Sequence, residues 1–412
     1  MADRVDRPRQ AVILAGGQGT RLRPLTDHTP KPMIPFHDRP FAEYLVEMLR
    51  GQGFRRILFL LGYLPDKVTE HFGDGSRFGV EIEYAVSPVE DETGTRLRRV
   101  KDRLDDIFVL LYCDNYWPMP FAAMWERYCR LGVEAMVTVY RNRDGYTRDN
   151  LRVDDDGLLA LYDKSRTAPG LAGVDIGFFI LTRAVIDLIP EGGNPSFEKS
   201  VYPVLVERRQ LAAFETDHRY YSVGSHERLP LTEAFLARNK TVLLDRDGTL
   251  NLRMPRAEYV RSWADWQWLP GAREALAELA RADYRIILIT NQPGLARGAL
   301  DQAALDAIHG RMIEETQAAG GRIDHIYYCP HNWDEGCDCR KPRPGMLFQA
   351  QRDFHLDLSR VTFIGDDDRD GEAAQAAGAP FLQVTESYSL LDAVHDLLAA
   401  DHSNPVTGKC PD

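Results

Sequence analysis

The chain has 412 residues, 44% of them apolar, and a formal net charge of −12. That length exceeds one ordinary core and predicts two or three domains. The acidity excludes broad binding to nucleic acid or to an anionic membrane surface, and no apolar run reaches the roughly 18 residues of a membrane span. Met1 to Gln10 is charged and has no apolar core, so it does not read as a secretory signal and a soluble, cytoplasmic protein is expected. Cys329, Cys337 and Cys339 lie close together, a clustering that predicts metal before disulfide.

Taken in chain order, the first strand is Ala11-Val12-Ile13-Leu14-Ala15, which runs straight into Gly16-Gly17-Gln18-Gly19-Thr20-Arg21. Glycines there let backbone N–H groups approach a triphosphate and allow positive φ. Arg21 adds a charged donor suited to a β- or γ-phosphate, and Lys31, in Pro30-Lys31-Pro32-Met33, adds a second cation. Phe41–Gly51 and Phe121–Leu131 read as helices, Arg56–Leu61 and Ile107–Tyr112 as buried strands. Asp114 follows the strand end at Cys113. This is neither the Walker nor the dinucleotide pattern. The string from Leu14 to Thr26, with Lys31, resembles the sugar-1-phosphate nucleotidyltransferases, over residues 10–237. That resemblance implies a Rossmann-like domain in which a sugar-phosphate oxygen attacks the α-phosphorus of a nucleoside triphosphate and pyrophosphate leaves. It implies that Gly16, Gly17, Gly19, Thr20, Arg21 and Lys31 hold the nucleotide and that Asp114 is a Mg²⁺ ligand. Lys164 would contact the sugar phosphate, and Asp175 and Gly177 would line the sugar pocket. Two residues depart from the family pattern: Cys113 stands for a glycine, and Ser222 for an aspartate that is often a second metal ligand. A hydroxyl is a poorer Mg²⁺ ligand than a carboxylate.

After the helix Leu229–Ala237 the pattern restarts. Thr241-Val242-Leu243-Leu244 is a strand that ends in Asp245-Arg246-Asp247-Gly248-Thr249. One carboxylate can attack phosphorus while the other handles a leaving-group proton, with a hard cation offsetting their repulsion. Strands over Tyr284–Thr290 and Val361–Gly365, and helices over Ala272–Arg281 and Gln302–Gly320, complete an alternation that predicts a parallel sheet with helices on both faces in each half. The second strand ends in Thr290, the third in Asp366, and Lys341 follows the cysteine cluster. These four segments, in this order, resemble the haloacid dehalogenase phosphatase superfamily over residues 240–400. The resemblance implies that Asp245 is the nucleophile and Asp247 the acid and then the base. Thr290, Lys341 and Arg340 would serve the phosphoryl group. Asp245, the backbone carbonyl of Asp247, and Asp366 would hold Mg²⁺.

Cys329-Pro330-His331 and Cys337-Asp338-Cys339 supply three thiolates and an imidazole, the ligand set of a closed structural Zn²⁺ site. With Cys339-Arg340-Lys341-Pro342-Arg343-Pro344-Gly345-Met346 and Ala296-Arg297-Gly298, this half looks like the D-glycero-D-manno-heptose 1,7-bisphosphate 7-phosphatases. Asp367 and Asp368 stand where that family usually has a lysine after its Gly-Asp. The first half looks most like the heptose-1-phosphate guanylyltransferases. Together the resemblances imply a bifunctional enzyme of two doubly wound α/β domains, acting on small-molecule heptose phosphates and a nucleoside triphosphate, with no nucleic-acid or membrane partner and a homo-oligomer left open. Two alternatives stand beside it: a first domain that binds nucleotide without catalysis, and the same activities on another sugar or on histidinol phosphate. Trp263, Trp266 and Trp268 read as packing rather than a sugar platform. The tail from Asp401, with Pro405, Gly408 and Pro411, is expected to be disordered.

Overall fold

A computed structural model describes residues 7–255 and 257–403. The chain divides into two compact units, Met1–Ala237 and Arg238–Asp412. Among the described residues no helix is long and apolar enough to cross a membrane.

The first unit opens with β1 (Gln10–Ala15), the hairpin β2 (Pro35–Phe36) and β3 (Arg39–Pro40), α1 (Phe41–Gly51), β4 (Arg56–Leu61), α2 (Pro65–Phe72), β5 (Glu81–Val86) and α3 (Thr93–Arg99). It continues through β6 (Ile107–Tyr112), β7 (Asn115–Tyr116), α4 (Phe121–Leu131), β8 (Ala135–Tyr140), β9 (Leu151–Val153), β10 (Leu159–Tyr162) and β11 (Val174–Thr182). It closes with α5 (Phe197–Glu207), β12 (Leu211–Thr216), β13 (Tyr221–Ser222) and α6 (Leu229–Leu236). Seven strands form one sheet in the order β12-β8-β11-β6-β1-β4-β5. Side chains alternate across it: Ala11, Ile13 and Ala15 enter one core, Val12 and Leu14 the other. Both faces are therefore covered, as a central strand that is apolar at every position requires.

The sheet departs from the expected parallel arrangement at β11, which runs antiparallel to both β6 and β8. The reason is local. No helix follows Tyr140; the chain instead makes the β9–β10 hairpin. Without a crossover helix to return it to the same edge, the next strand is free to enter in the opposite sense.

The second unit runs β14 (Thr241–Leu244), α7 (Ala272–Arg281), β15 (Arg285–Asn291), α8 (Gln302–Ala318), β16 (His325–Cys329), α9 (Gly345–Phe354), β17 (Thr362–Gly365), α10 (Asp368–Ala377), β18 (Phe381–Gln383) and α11 (Leu390–Ser403). Its five strands, in the order β16-β15-β14-β17-β18, are all parallel. Val242 and Leu244 face one core with Ile286 and Leu288; Leu243, Ile287 and Ile289 face the other. The ends of β14, β15 and β17 therefore open at one edge, which brings Asp245, Thr290 and Asp366 together. The tail departs from expectation in that α11 continues through Ser403; positions 404–412 lie outside the described residues. Trp263 and Trp266 stack at 5.2 Å and Trp266 meets Trp268 edge-on, as packing requires.

Candidate active sites

In the second unit, Asp245 leaves β14 as a buried side chain and meets the equally buried Lys341 at 2.8 Å. Lys341 also reaches Asp370 at 2.6 Å and donates to the Ile289 carbonyl at 2.8 Å, so all three ammonium protons are engaged. Asn291 pins the Lys341 backbone from both sides, through N–H and C=O at 3.1 Å each. Burial pushes Asp245 up to about 6, and the Lys341 ammonium works against that shift. Thr290, buried at the end of β15, accepts from Gln292 Nε2 at 2.9 Å, which leaves its own O–H to donate elsewhere.

Asp247 is held differently. Arg246 Nη2 grips its two oxygens at 2.9 and 2.8 Å, Asn251 donates at 3.0 Å and Gln292 at 2.8 Å. Burial opposes its charge, yet the Arg246 guanidinium and these amides hold its carboxyl below the usual range.

Oxygens of Asp245, Asp366 and Asp370 lie within 4.8 Å of one another. Asp366 Oδ1 is buried without a hydrogen-bond partner, and burial with the nearby Asp245 charge pushes its carboxyl up to about 6. An orphaned carboxylate oxygen among like charges is what a hard divalent cation satisfies, so these residues fit Mg²⁺. Asp370 was not singled out in the sequence, although it lies one helical turn beyond Asp366, on α10. The carboxylate of Asp247 stands outside this group. Asp367 is no loose charge beside it: Arg253 meets it at 2.6 Å while also meeting Asp366 at 3.1 Å, and Asp367 caps α10 in a capping box with Asp370.

A cavity of about 410 Å³ opens over this cluster, and its lining includes Tyr259, Arg297 and Arg340. Arg297 bonds only to neutral acceptors, Asn332 Oδ1 at 3.0 Å and the Tyr259 hydroxyl at 2.6 Å. Arg340 donates to the His331 carbonyl at 3.2 Å. Neither has a carboxylate partner among the described residues. Beside them Cys329, His331, Cys337 and Cys339 converge, their donor atoms within 4.8 Å, which is close enough for one metal ion.

In the first unit the loop after β1 is set by close approaches. Gly19 has φ +67, and a Cβ there would sit 2.9 Å from Lys31 Cγ. Gly16 rests on the buried Arg96, whose guanidinium donates to the carbonyls of Leu61, Pro88 and Val89. Nothing in the sequence marks that strut, because it joins segments far apart in the chain. Gly17 has open space where a side chain would stand, and Arg21 and Thr20 are exposed. Lys31 points at Asp114, 3.3 Å away. Ser222 pairs across β13–β7 with Asn115, next to Asp114, and the Val223 N–H bonds the Asp114 carbonyl at 2.9 Å. Asp114 belongs to no group of three or more metal-type donors among the described residues.

Asp175 and Gly177 lie on β11, away from that loop in sequence but tied to each other: the Gly177 N–H donates to Asp175 at 2.8 Å. Asp175 also accepts from the Tyr202 hydroxyl at 2.7 Å, and burial pushes it up to about 7 against those bonds. Glu198, beside it, accepts from Tyr112 at 2.6 Å and Ser196 at 2.7 Å. Lys164 is exposed on the turn after β10.

Residues 10–239 match the nucleotidyl transferase family, and residues 338–403 match a HAD-hydrolase-like family. The chain belongs to the nucleotidyl transferases through its first unit and carries a phosphatase-type hydrolase in its second, which makes it a bifunctional enzyme. Its second half falls, more narrowly, in the D-glycero-beta-D-manno-heptose-1,7-bisphosphate 7-phosphatase family. The protein of that name from Bordetella bronchiseptica is 46% identical over 147 residues, 35% of this chain and 81% of the relative. A crystal structure of D,D-heptose 1.7-bisphosphate phosphatase from B. bronchiseptica, complexed with magnesium and phosphate, covers 39% of this chain and 99% of its own at 38% identity and a TM-score of 0.37. HddC from Yersinia pseudotuberculosis covers 53% of this chain and 96% of its own at 23% identity and a TM-score of 0.46.

Proposed function

We propose that the chain performs two consecutive steps on one sugar. The second unit removes the 7-phosphate of D-glycero-D-manno-heptose 1,7-bisphosphate, and the first joins the resulting heptose 1-phosphate to GMP from GTP, releasing pyrophosphate. The observation that carries this reading is the buried Asp245–Lys341–Asp370 cluster with Asp366, in a second half that is 46% identical over 147 residues to a heptose bisphosphatase.

Asp245 attacks phosphorus; its Oδ–P bond forms as the bond from phosphorus to the sugar oxygen breaks, giving an aspartyl-phosphate. Lys341, its protons already placed, acts as a fixed charge that keeps Asp245 aimed and offsets the phosphoryl oxygens. Thr290 donates its free O–H to one of those oxygens. Asp247 gives a proton to the departing sugar oxygen and then takes one from the water that cleaves the acyl phosphate. Arg246 favours the charged form of Asp247, so the proton that it gives is one taken up with the substrate, whose phosphate charge opposes ionisation of the carboxyl. Asp245 and Asp366, with the Asp247 carbonyl, would hold Mg²⁺, which would supply charge neutralisation for the phosphoryl oxygens. Zn²⁺ bound by Cys329, His331, Cys337 and Cys339 would fix the loop that carries Arg340 and Lys341. A bisphosphate brings a second dianion, and Arg297 and Arg340 are the cavity guanidiniums free to meet it.

In the first unit, the loop amides at Gly16, Gly17 and Gly19, with Thr20, Arg21 and Lys31, take the triphosphate. Lys164, Asp175 and Gly177 serve the sugar phosphate. A phosphate oxygen of the sugar attacks the α-phosphorus as the bond to pyrophosphate breaks. Asp114, 3.3 Å from Lys31, would hold Mg²⁺ against the triphosphate, and Arg21 and Lys31 offset the remaining phosphate charge.

Incubation with Mg²⁺, the heptose bisphosphate and each nucleoside triphosphate in turn, following phosphate and pyrophosphate separately, tests both claims. GTP is expected to give both products. Phosphate without pyrophosphate for every triphosphate would remove the transferase step, and no phosphate at all would remove the heptose substrate. Asp245→Asn is expected to abolish phosphate release and to leave transfer from heptose 1-phosphate intact.

A further inference from the structure

Arg246 stands between Asp245 and Asp247 in the chain, and although all three line the phosphatase cavity its side chain is only 1% exposed. Its guanidinium makes a fork on Asp247, with Nε at 3.1 Å and Nη2 at 2.8 Å from Oδ2 and Nη2 at 2.9 Å from Oδ1. Nη2 also donates to Gln292 Oε1 at 3.0 Å, and the Gln292 amide returns a bond to Asp247 Oδ2 at 2.8 Å. The far edge of the guanidinium, Nη1, meets His309 Nε2 at 3.2 Å. A guanidinium has only donors, so Nε2 must accept, which makes His309 a neutral imidazole with its proton on Nδ1. His309 is buried on α8, and the ring of Trp266 stands 5.8 Å from the guanidinium carbon. Burial and the Arg246 charge both lower the His309 pKa, to about 4, so it remains an acceptor at neutral pH.

This arrangement has a consequence for Asp247. Its oxygens already receive Arg246, Asn251 and Gln292, so a leaving oxygen must displace one donor. Asn251 is a neutral amide that can turn, whereas Gln292 is tied to Arg246 and Thr290 as well. Arg246 is anchored from behind and cannot follow the carboxylate if it swings. We propose that His309, Arg246 and Gln292 form a buried clamp that fixes the orientation of the Asp247 carboxylate toward the leaving oxygen, which makes His309 a positioning residue for the phosphatase reaction although it touches no substrate. This rests on the reading of Asp247 as the acid and base.

The test exploits the fact that the accepting atom is Nε2. Glutamine places Oε1 near that atom, whereas asparagine, equally polar, is too short to reach Arg246. With the full-length protein and the heptose bisphosphate, His309→Asn is expected to lower kcat by about ten- to a hundred-fold, the scale of a misplaced catalytic group. KM should stay within about two-fold, and His309→Gln should restore most of the rate. Thermal melts of both variants report whether they are folded at the assay temperature. Equal rates for His309→Asn, His309→Gln and the parent overturn the proposal. So does a His309→Asn defect that lies in KM, or one that His309→Gln fails to repair while still folded. Asp247→Asn separates the underlying reading: if it keeps full activity, Asp247 is not the acid and base. If Asp247→Asn is inactive and His309→Asn is not impaired, the clamp alone is wrong.

Discussion

Gly248 shows how tightly single residues are constrained at the phosphatase site. It has φ +99, and a Cβ there would fall 2.1 Å from Asp366 Oδ2. An alanine would strain the turn and push the whole Asp366 carboxylate aside, including its unpartnered Oδ1, which would lie 2.7 Å from that Cβ. Gly248→Ala is expected to lower phosphatase turnover at least ten-fold and to raise the Mg²⁺ concentration giving half-maximal rate, read from a Mg²⁺ titration. The opposite kind of change is available in the first unit. Ser222 sits beside Asp114, which belongs to no group of three or more metal-type donors among the described residues. Ser222→Asp is expected to lower the Mg²⁺ needed for pyrophosphate release by several-fold, because a second carboxylate completes a hard-cation site. An unchanged or raised Mg²⁺ requirement would mean that Ser222 is not at the metal position. At this scale, what the sequence made legible was every group at the end of a strand: Asp245, Thr290 and Asp366 follow apolar runs, and the fold must bring such ends to one edge. Asp370, Arg96 and the Arg246–His309 contact were not legible. Each depends on a helix or loop from elsewhere in the chain turning a particular face inward.

At the scale of elements, the substitution that looked disruptive in the sequence has a defined role. Asp367 caps α10, accepting from the Arg369 N–H, while Arg253 and Arg369 neutralise it and pull its carboxyl well below the usual range. Two variants separate these contributions. Asp367→Asn keeps a good cap and removes the charge; Asp367→Ala removes both. The cap is worth about 1 kcal/mol, so Asp367→Ala is expected to melt about 2–4 °C below Asp367→Asn, measured calorimetrically for the second unit. Identical melting points would show that charge, not capping, is the role of Asp367. Element order was readable for the same reason that the cap was not: periodicity of buried side chains extends over many residues, while a cap is decided by one. The antiparallel β11 escaped that reading because strand direction depends on the connection, and a hairpin leaves the same apolar strand pattern as a helix would.

At the scale of the whole molecule, each unit has its own sheet and its own pair of cores. The residues proposed for the phosphatase, Asp245, Asp366 and Lys341, lie within the second unit, and those proposed for nucleotidyl transfer, Lys31, Asp114 and Ser222, within the first. Sites each drawn from one unit need only a shared, diffusible intermediate. The phosphatase product keeps its 1-phosphate and so remains a substrate for nucleotidyl transfer after it leaves the second unit. An equimolar mixture of an Asp245→Asn chain and a Lys31→Ala chain should therefore convert heptose bisphosphate and GTP to nucleotide sugar. Pyrophosphate should appear after a lag that shortens as protein concentration rises, since the intermediate must build up in solution before the second step proceeds. Each variant alone should fail: the first makes no heptose 1-phosphate, and the second makes it but transfers slowly for want of the Lys31 charge beside the triphosphate. If the mixture stays inactive while each variant retains its own half-reaction, the two steps depend on being carried by one chain, and self-sufficiency of the sites is the premise that fails.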